Sequence, residues 1–146
     1  IYLADDAETV RKKIMSMYTD PLHLKIEDPG HLEGNTVFTY LDAFCRKDHF
    51  ERYLPEYQGL DELKAHYQRG GLGDVKIKKF LNKILQEELE PIRARRKEYE
   101  KDLSAVYDIL KAGSETARET AARTLEDVKR SMKINYFENR SLLEER

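Results

Sequence analysis

Residues 69–100, RGGLGDVKIKKFLNKILQEELEPIRARRKEYE, decide how the rest of the chain is read. A glycine-marked turn leads into one long apolar pattern. Ile77, Phe80, Leu81, Ile84, Leu85, Leu89 and Ile92 recur at three- and four-residue steps. That is the stripe of an amphipathic helix, because side chains three and four positions apart share a face. Lys76, Lys78, Lys79 and Lys83 crowd its first turns, and Arg93, Arg95, Arg96 and Lys97 its later part. Pro91 lies inside the pattern. It removes a backbone donor and clashes with the preceding turn, which predicts a kink or two abutting helices. Everything else reads as shorter helices able to pack on this one.

Toward the N-terminus, Gly70-Gly71 ends a preceding helix, LDELKAHYQR, which starts after Gly59 and carries Leu60, Leu63 and Tyr67 on one face. Glycine takes the left-handed conformation of a helix end without steric cost. Phe50, Tyr53 and Leu54 suggest a helical turn before Pro55. Asn35 is placed to cap TVFTYLDAF, apolar on most sides and therefore the expected central buried helix. Residues 20–34 are a loop, with Asp28-Pro29-Gly30 as its turn signal. Before it, Asp5 or Asp6 caps a helix with Val10, Ile14, Met17 and Tyr18 on one face, expected to end near Thr19. Asp20-Pro21 stops it, since the residue before proline disfavours the helical region.

Toward the C-terminus, Leu103, Val106, Tyr107 and Leu110 predict a short helix closed at Gly113. Ser114 then caps a last one with Ala117, Ala121, Leu125, Val128 and Met132 on its face. Ile134, Tyr136 and Phe137 are expected to fold back on the bundle, ahead of the charged tail ENRSLLEER. No β pattern, repeat or low-complexity tract is present. The predicted architecture is all-α, an irregular bundle of about six helices.

At 146 residues the chain is one domain, long enough to bury ~70% of its unfolded surface. Hydrophobic residues at 40% and charged ones at 37% suit a helical domain with a salt-bridged exterior. The net charge of −2 excludes a globally basic nucleic-acid coat, so any RNA contact needs a local patch. With Cys45 alone, no internal disulfide forms, which fits a reducing compartment. No apolar run reaches the ~20 residues of a membrane helix. The first residue is Ile1, so a piece of something longer is expected.

The catalytic inventory is thin. His23, His31, His49 and His66 are scattered and form no zinc-protease pattern. Cys45 and His49 are four apart but lack further ligands, so a buried thiol and a surface histidine outweigh a zinc site. Gly70-Gly71-Leu72-Gly73-Asp74 lacks both the strand that precedes a dinucleotide fingerprint and the Gly-Lys-Ser/Thr end of a phosphate loop. A helix end followed by an N-cap at Asp74 carries most of the weight. The same helix start exposes backbone N–H groups beside Lys76, a reasonable contact for RNA. The Arg93–Lys97 cluster reads as a solvated face with Glu98 and Glu100 as partners.

Four blocks carry a resemblance: IYLADDAETVRKKIMSMYTDP, EGNTVFTYLDAF, HYQRGGLGDVKIKKFL and EPIRARRKEYE. In this order and spacing they resemble the C-terminal helical, anticodon-binding domain of bacterial tryptophanyl-tRNA synthetase, a class I aminoacyl-tRNA synthetase. The resemblance covers residues 1–137 and leaves 138–146 as a charged tail without a role. The signature motifs and the Rossmann-like catalytic domain of that family are not in this sequence. The resemblance therefore implies tRNA(Trp) recognition without catalysis. The parent enzyme would use ATP with Mg to join tryptophan to tRNA(Trp), while this chain would hold no cofactor or metal and be inactive alone. Asp20, His23 and Lys25 of the loop, and Asp74, Lys76 and Lys79 of the long helix, are the implied anticodon contacts. A turn role for Asp20 and a capping role for Asp74 weigh equally. The implied partners are tRNA(Trp) and the catalytic domain, with no DNA and no membrane, in a cytoplasmic, homodimeric parent; the fragment alone is expected to be monomeric. Apolar patches are expected on the first helix, where that domain would rest. The alternative is a helical protein–protein adaptor with no RNA function. An adaptor predicts an exposed apolar groove; an anticodon domain predicts a basic, polar concavity between residues 20–28 and 72–79.

Overall fold

The structure, a computed structural model, describes residues 1–135. The expectations for Tyr136, Phe137 and the 138–146 tail lie outside the described residues. Among the described residues six helices follow in order: α1 (Ala7–Met15), α2 (Thr36–Phe44), α3 (Lys47–Tyr53), α4 (Leu60–Arg69), α5 (Asp74–Glu100) and α6 (Leu103–Ser131). Among the described residues there is no strand, and the class is all-α. The chain divides into two units, the first residues 1–96 and the second from Lys97 on.

The core of the first unit is built on α5. Its buried residues Ile77, Phe80, Leu81, Ile84, Leu85 and Leu89 are the stripe of the quoted sequence. Val10 and Ile14 of α1, Val37, Phe38 and Leu41 of α2, Phe50 of α3, and Leu63 and Tyr67 of α4 join the same cluster. Each such side chain contributes about 1.5–3 kcal/mol on burial. Polar ties fix the register around it. Lys78 Nζ donates to the Met15 carbonyl (3.1 Å) and Gln86 Nε2 to the Ala7 carbonyl (2.8 Å), which lays α1 antiparallel along α5. Glu87 accepts from Arg52 Nη1 (2.7 Å) and the Tyr53 hydroxyl (2.9 Å), and Arg46 pairs with Glu88, so α3 is pinned to the same helix.

Local signals set several boundaries. Asp6 caps α1 by accepting from the Thr9 N–H (2.6 Å), and Asn35 caps α2 by accepting from Val37 (3.1 Å). Elsewhere tertiary structure corrects the sequence. The first helix stops at Met15, not near Thr19, and Tyr18 is exposed. No large apolar residue is exposed within α1; the apolar surface expected there lies beside it instead, at Tyr2, Leu3 and Tyr18. The α2 helix buries one face only, leaving Phe44 exposed. Pro91 sits inside one continuous α5 rather than between two helices. Gly113 lies inside α6 and does not end a helix, and Ser114 caps nothing. A single interior glycine costs only ~1 kcal/mol, which a 29-residue helix absorbs. None of the α6 residues is buried, and Ile134 beyond it is also exposed. Arg93 pairs with Glu90, and Glu98 with Lys101.

The Cys45–His49 pair is the reverse of the sequence reading. His49 is fully buried and Cys45 only half-buried. The His49 Nδ1 accepts from the Arg46 N–H (3.0 Å), serving the start of α3. Burial and the Arg46 charge hold its pKa below the ordinary histidine value.

Candidate nucleic-acid interface

The loop between α1 and α2 is folded by its own polar groups. Asp20 accepts from the Leu22 N–H (2.9 Å), the His31 N–H (2.8 Å) and His31 Nδ1 (2.7 Å). Those bonds, the Leu22 N–H first, hold its carboxyl below the usual carboxylate range. The loop then lies directly on the turn between α4 and α5. Gly71 N–H donates to the Ile26 carbonyl (2.6 Å), and Gly30 N–H to the Tyr67 carbonyl (3.0 Å). Gly70 has φ +86°, and a Cβ there would run into the Glu27 carbonyl. The glycine cluster is therefore needed for close backbone approach as well as for ending α4.

Asp74 opens α5, yet its carboxylate does not cap the helix. It accepts from the Thr19 hydroxyl (2.7 Å) and the Tyr67 hydroxyl (2.8 Å), and His23 Nδ1 lies 3.3 Å away. Asn35 Nδ2 in turn donates to the Tyr67 hydroxyl (3.3 Å). Burial, then the Asp74 carboxylate, pushes the Tyr67 phenol pKa far up, so it stays a donor. His23 packs edge-on against the Tyr67 ring, with centroids 4.8 Å apart.

A concavity of about 670 Å³ opens between this loop and the start of α5. Its apolar part includes Leu24, Ile26, Leu54, Val75 and Phe80, and its cations are Lys25, Lys76, Lys79 and Lys83. Of the six residues singled out in the sequence, His23, Lys25, Asp74, Lys76 and Lys79 line it; Asp20 does not. The lysines are not equivalent. Lys76 Nζ is already paired with Glu56 (2.8 Å) and sits over the Tyr57 ring. Lys83 lies over the Tyr53 ring, 5.1 Å from its centroid. Lys79 is exposed and has no ion-pair partner among the described residues. The concavity expected to be basic and polar is basic but mostly apolar in its lining. Lys83, Tyr53, Leu24 and Ile26 were missed. Lys83 stood in the sequence as one of the lysines of the long helix, whereas Tyr53 reaches the site only through α3 packing on α5. Among the described residues no group of three potential ligands is placed to hold a metal, and no helix is long and apolar enough to cross a membrane.

No family model matches the chain. The tryptophan–tRNA ligase of Clostridium longisporum is 61% identical over 139 residues, covering 95% of this chain and 38% of that protein. The tryptophan–tRNA ligase of Streptococcus mutans is also 61% identical, over 94% of this chain and 38% of the relative. A crystal structure of tryptophanyl-tRNA synthetase from Campylobacter jejuni, complexed with ADP and tryptophan, superposes with a TM-score of 0.66 at 24% identity. It covers 91% of this chain and 38% of that one, and supports the fold. The class these relatives define is the aminoacyl-tRNA synthetases. More narrowly, the chain is homologous to a segment of the tryptophan–tRNA ligases, and it spans about 38% of the length of the curated relatives it matches.

Proposed function

We propose that this chain is the anticodon-recognising part of a tryptophan–tRNA ligase and that the concavity between the 20–34 loop and α5 is its RNA contact. The observation that carries the reading is the gathering of Lys25, Lys76, Lys79 and Lys83 around one apolar hollow, in a chain of net charge −2. Anticodon bases are unstacked, so they offer faces to apolar walls and edges to polar groups, while lysines engage the phosphates between them. Tryptophan activation with ATP and Mg, and transfer to tRNA(Trp), belong on this reading to the rest of a cytoplasmic, homodimeric enzyme. The 146 residues alone bind without catalysing, as a monomer.

A second reading, a protein–protein adaptor, draws on Leu22, Leu24, Ile26 and Val75, all more than half exposed beside the hollow. One titration separates the two. The chain is added to a tRNA(Trp) transcript and to the same transcript with a changed anticodon, each at two salt concentrations. Loss of binding on the anticodon change supports the anticodon reading. Equal binding that vanishes as salt rises means phosphate attraction only, and no binding at low salt favours the adaptor. Lys79→Ala is expected to weaken binding and lower the salt slope by about one counterion. Lys76→Ala is expected to do less, because Glu56 already neutralises that lysine.

A further inference from the structure

The histidine in the wall of the hollow is only half satisfied. His23 is 8% exposed, and its Nδ1 faces the Asp74 carboxylate at 3.3 Å. An ionised carboxylate accepts and never donates, so Nδ1 carries a proton, and with that one proton on the ring Nε2 keeps its lone pair. That leaves Nε2 as a bare acceptor. It is buried and has no hydrogen-bond partner. The groups that could have reversed this tautomer point elsewhere: the Thr19 and Tyr67 hydroxyls both spend their protons on Asp74. The ring itself cannot turn away easily, being held edge-on against Tyr67 and covered on most sides.

An unmet acceptor inside a protein is costly, and the cost is relieved by any ligand that brings a donor to it. Here the acceptor belongs to a residue of the hollow's wall, whose other members are apolar side chains and lysines. Lysine ammoniums suit phosphates, apolar walls suit a planar ring, and an imidazole nitrogen with a free lone pair suits an N–H. Resting on the anticodon reading above, we infer that His23 Nε2 accepts a hydrogen bond from the exocyclic amino group of one RNA base, making His23 a specificity-determining residue. An amino-bearing base is accepted and a base with a carbonyl oxygen at the same position is rejected, because it would set acceptor against acceptor. Nε2 is closed to water in the free protein, so what covers it must move as the base enters.

The test uses the whole chain and anticodon stem–loops in which one exocyclic amino group at a time is replaced by hydrogen. In the unmodified protein one such replacement is expected to weaken binding by about 10- to 100-fold. His23→Asn keeps an N–H for Asp74 but has nothing in place of Nε2. In that variant the same replacement is expected to matter less than about twofold, the signature of a coupled pair in a double-mutant cycle. His23→Gln, whose carbonyl reaches the Nε2 position, is expected to restore part of the discrimination. An unchanged salt slope shows that the lysines, and hence the fold, are intact in each variant. Independently, the ¹⁵N resonance of Nε2 is expected to move on addition of the native stem–loop and to stay put with the deaminated one. If the changed anticodon does not weaken binding at all, the anticodon reading falls and this inference falls with it. If the anticodon matters but every deamination costs the variant and the unmodified protein alike, the inference alone is overturned.

Discussion

Helices α5 and α6 are alike in length and pattern and opposite in what they bury. The first has 27 residues, six of them in the core; the second has 29, with none buried. Both carry an apolar stripe at helical spacing. On α5 the stripe meets Ile14, Phe38, Leu63 and Phe50 in one cluster, whereas on α6 Leu103, Tyr107, Leu110, Leu125 and Val128 are all exposed. The difference teaches that periodicity specifies a helix and its apolar side, but says nothing about what covers that side.

Substitutions sharpen the contrast, and the largest effect is expected in the α5 core. Ile84→Ala removes a fully buried side chain and is expected to cost about 2–5 kcal/mol in denaturant unfolding. Leu110→Ala, on an exposed position of α6, is expected to stay within about 0.5 kcal/mol. Equal losses at both sites would erase the distinction between the two helices.

Glycines give a smaller contrast, of opposite sign. A Cβ on Gly30 would overlap the Tyr67 ring, so Gly30→Ala is expected to destabilise by about 1–3 kcal/mol through overpacking. Gly113 has open space around it inside α6, so Gly113→Ala is expected to stabilise that helix by up to about 1 kcal/mol. Thermal unfolding followed by circular dichroism measures both. A destabilising Gly113→Ala would mean that the sequence was right to read a helix end there.

The smallest effect is expected in acid. Asp20 has its pKa lowered by the bonds that fold the loop, first that from the Leu22 N–H. A group whose folded pKa lies below its unfolded value stabilises fully above the unfolded value, about pH 4, and loses that contribution as pH falls through the folded one. Stability should therefore drop in that window, and Asp20→Asn should flatten the drop.

Much of the fold was legible because its causes are local. The caps at Asp6 and Asn35, the α4 end at Gly70, and the stripe from Ile77 to Leu89 each depend on residues within a turn or two of themselves. Gly113 and Ser114 misled because the same residue types that end helices are tolerated inside a long one. The site was legible only in part. Lysines at the start of α5 could be counted in the sequence, but the Glu56 that occupies Lys76 lies twenty positions earlier, past Pro55 and outside any helix.

By itself, then, the sequence determined an all-α chain, the position of its longest buried stripe, the glycines of its central turn and its kinship with tryptophan–tRNA ligases. Tertiary structure decided which charges remain free, which stripe is covered, and the meeting of His23 with Asp74 across 51 positions. The physical reason is range. Backbone conformation follows from neighbours along the chain, whereas burial, tautomer and ion pairing follow from neighbours in space, and these exist only once the α1–α2 loop has closed onto the α4–α5 turn.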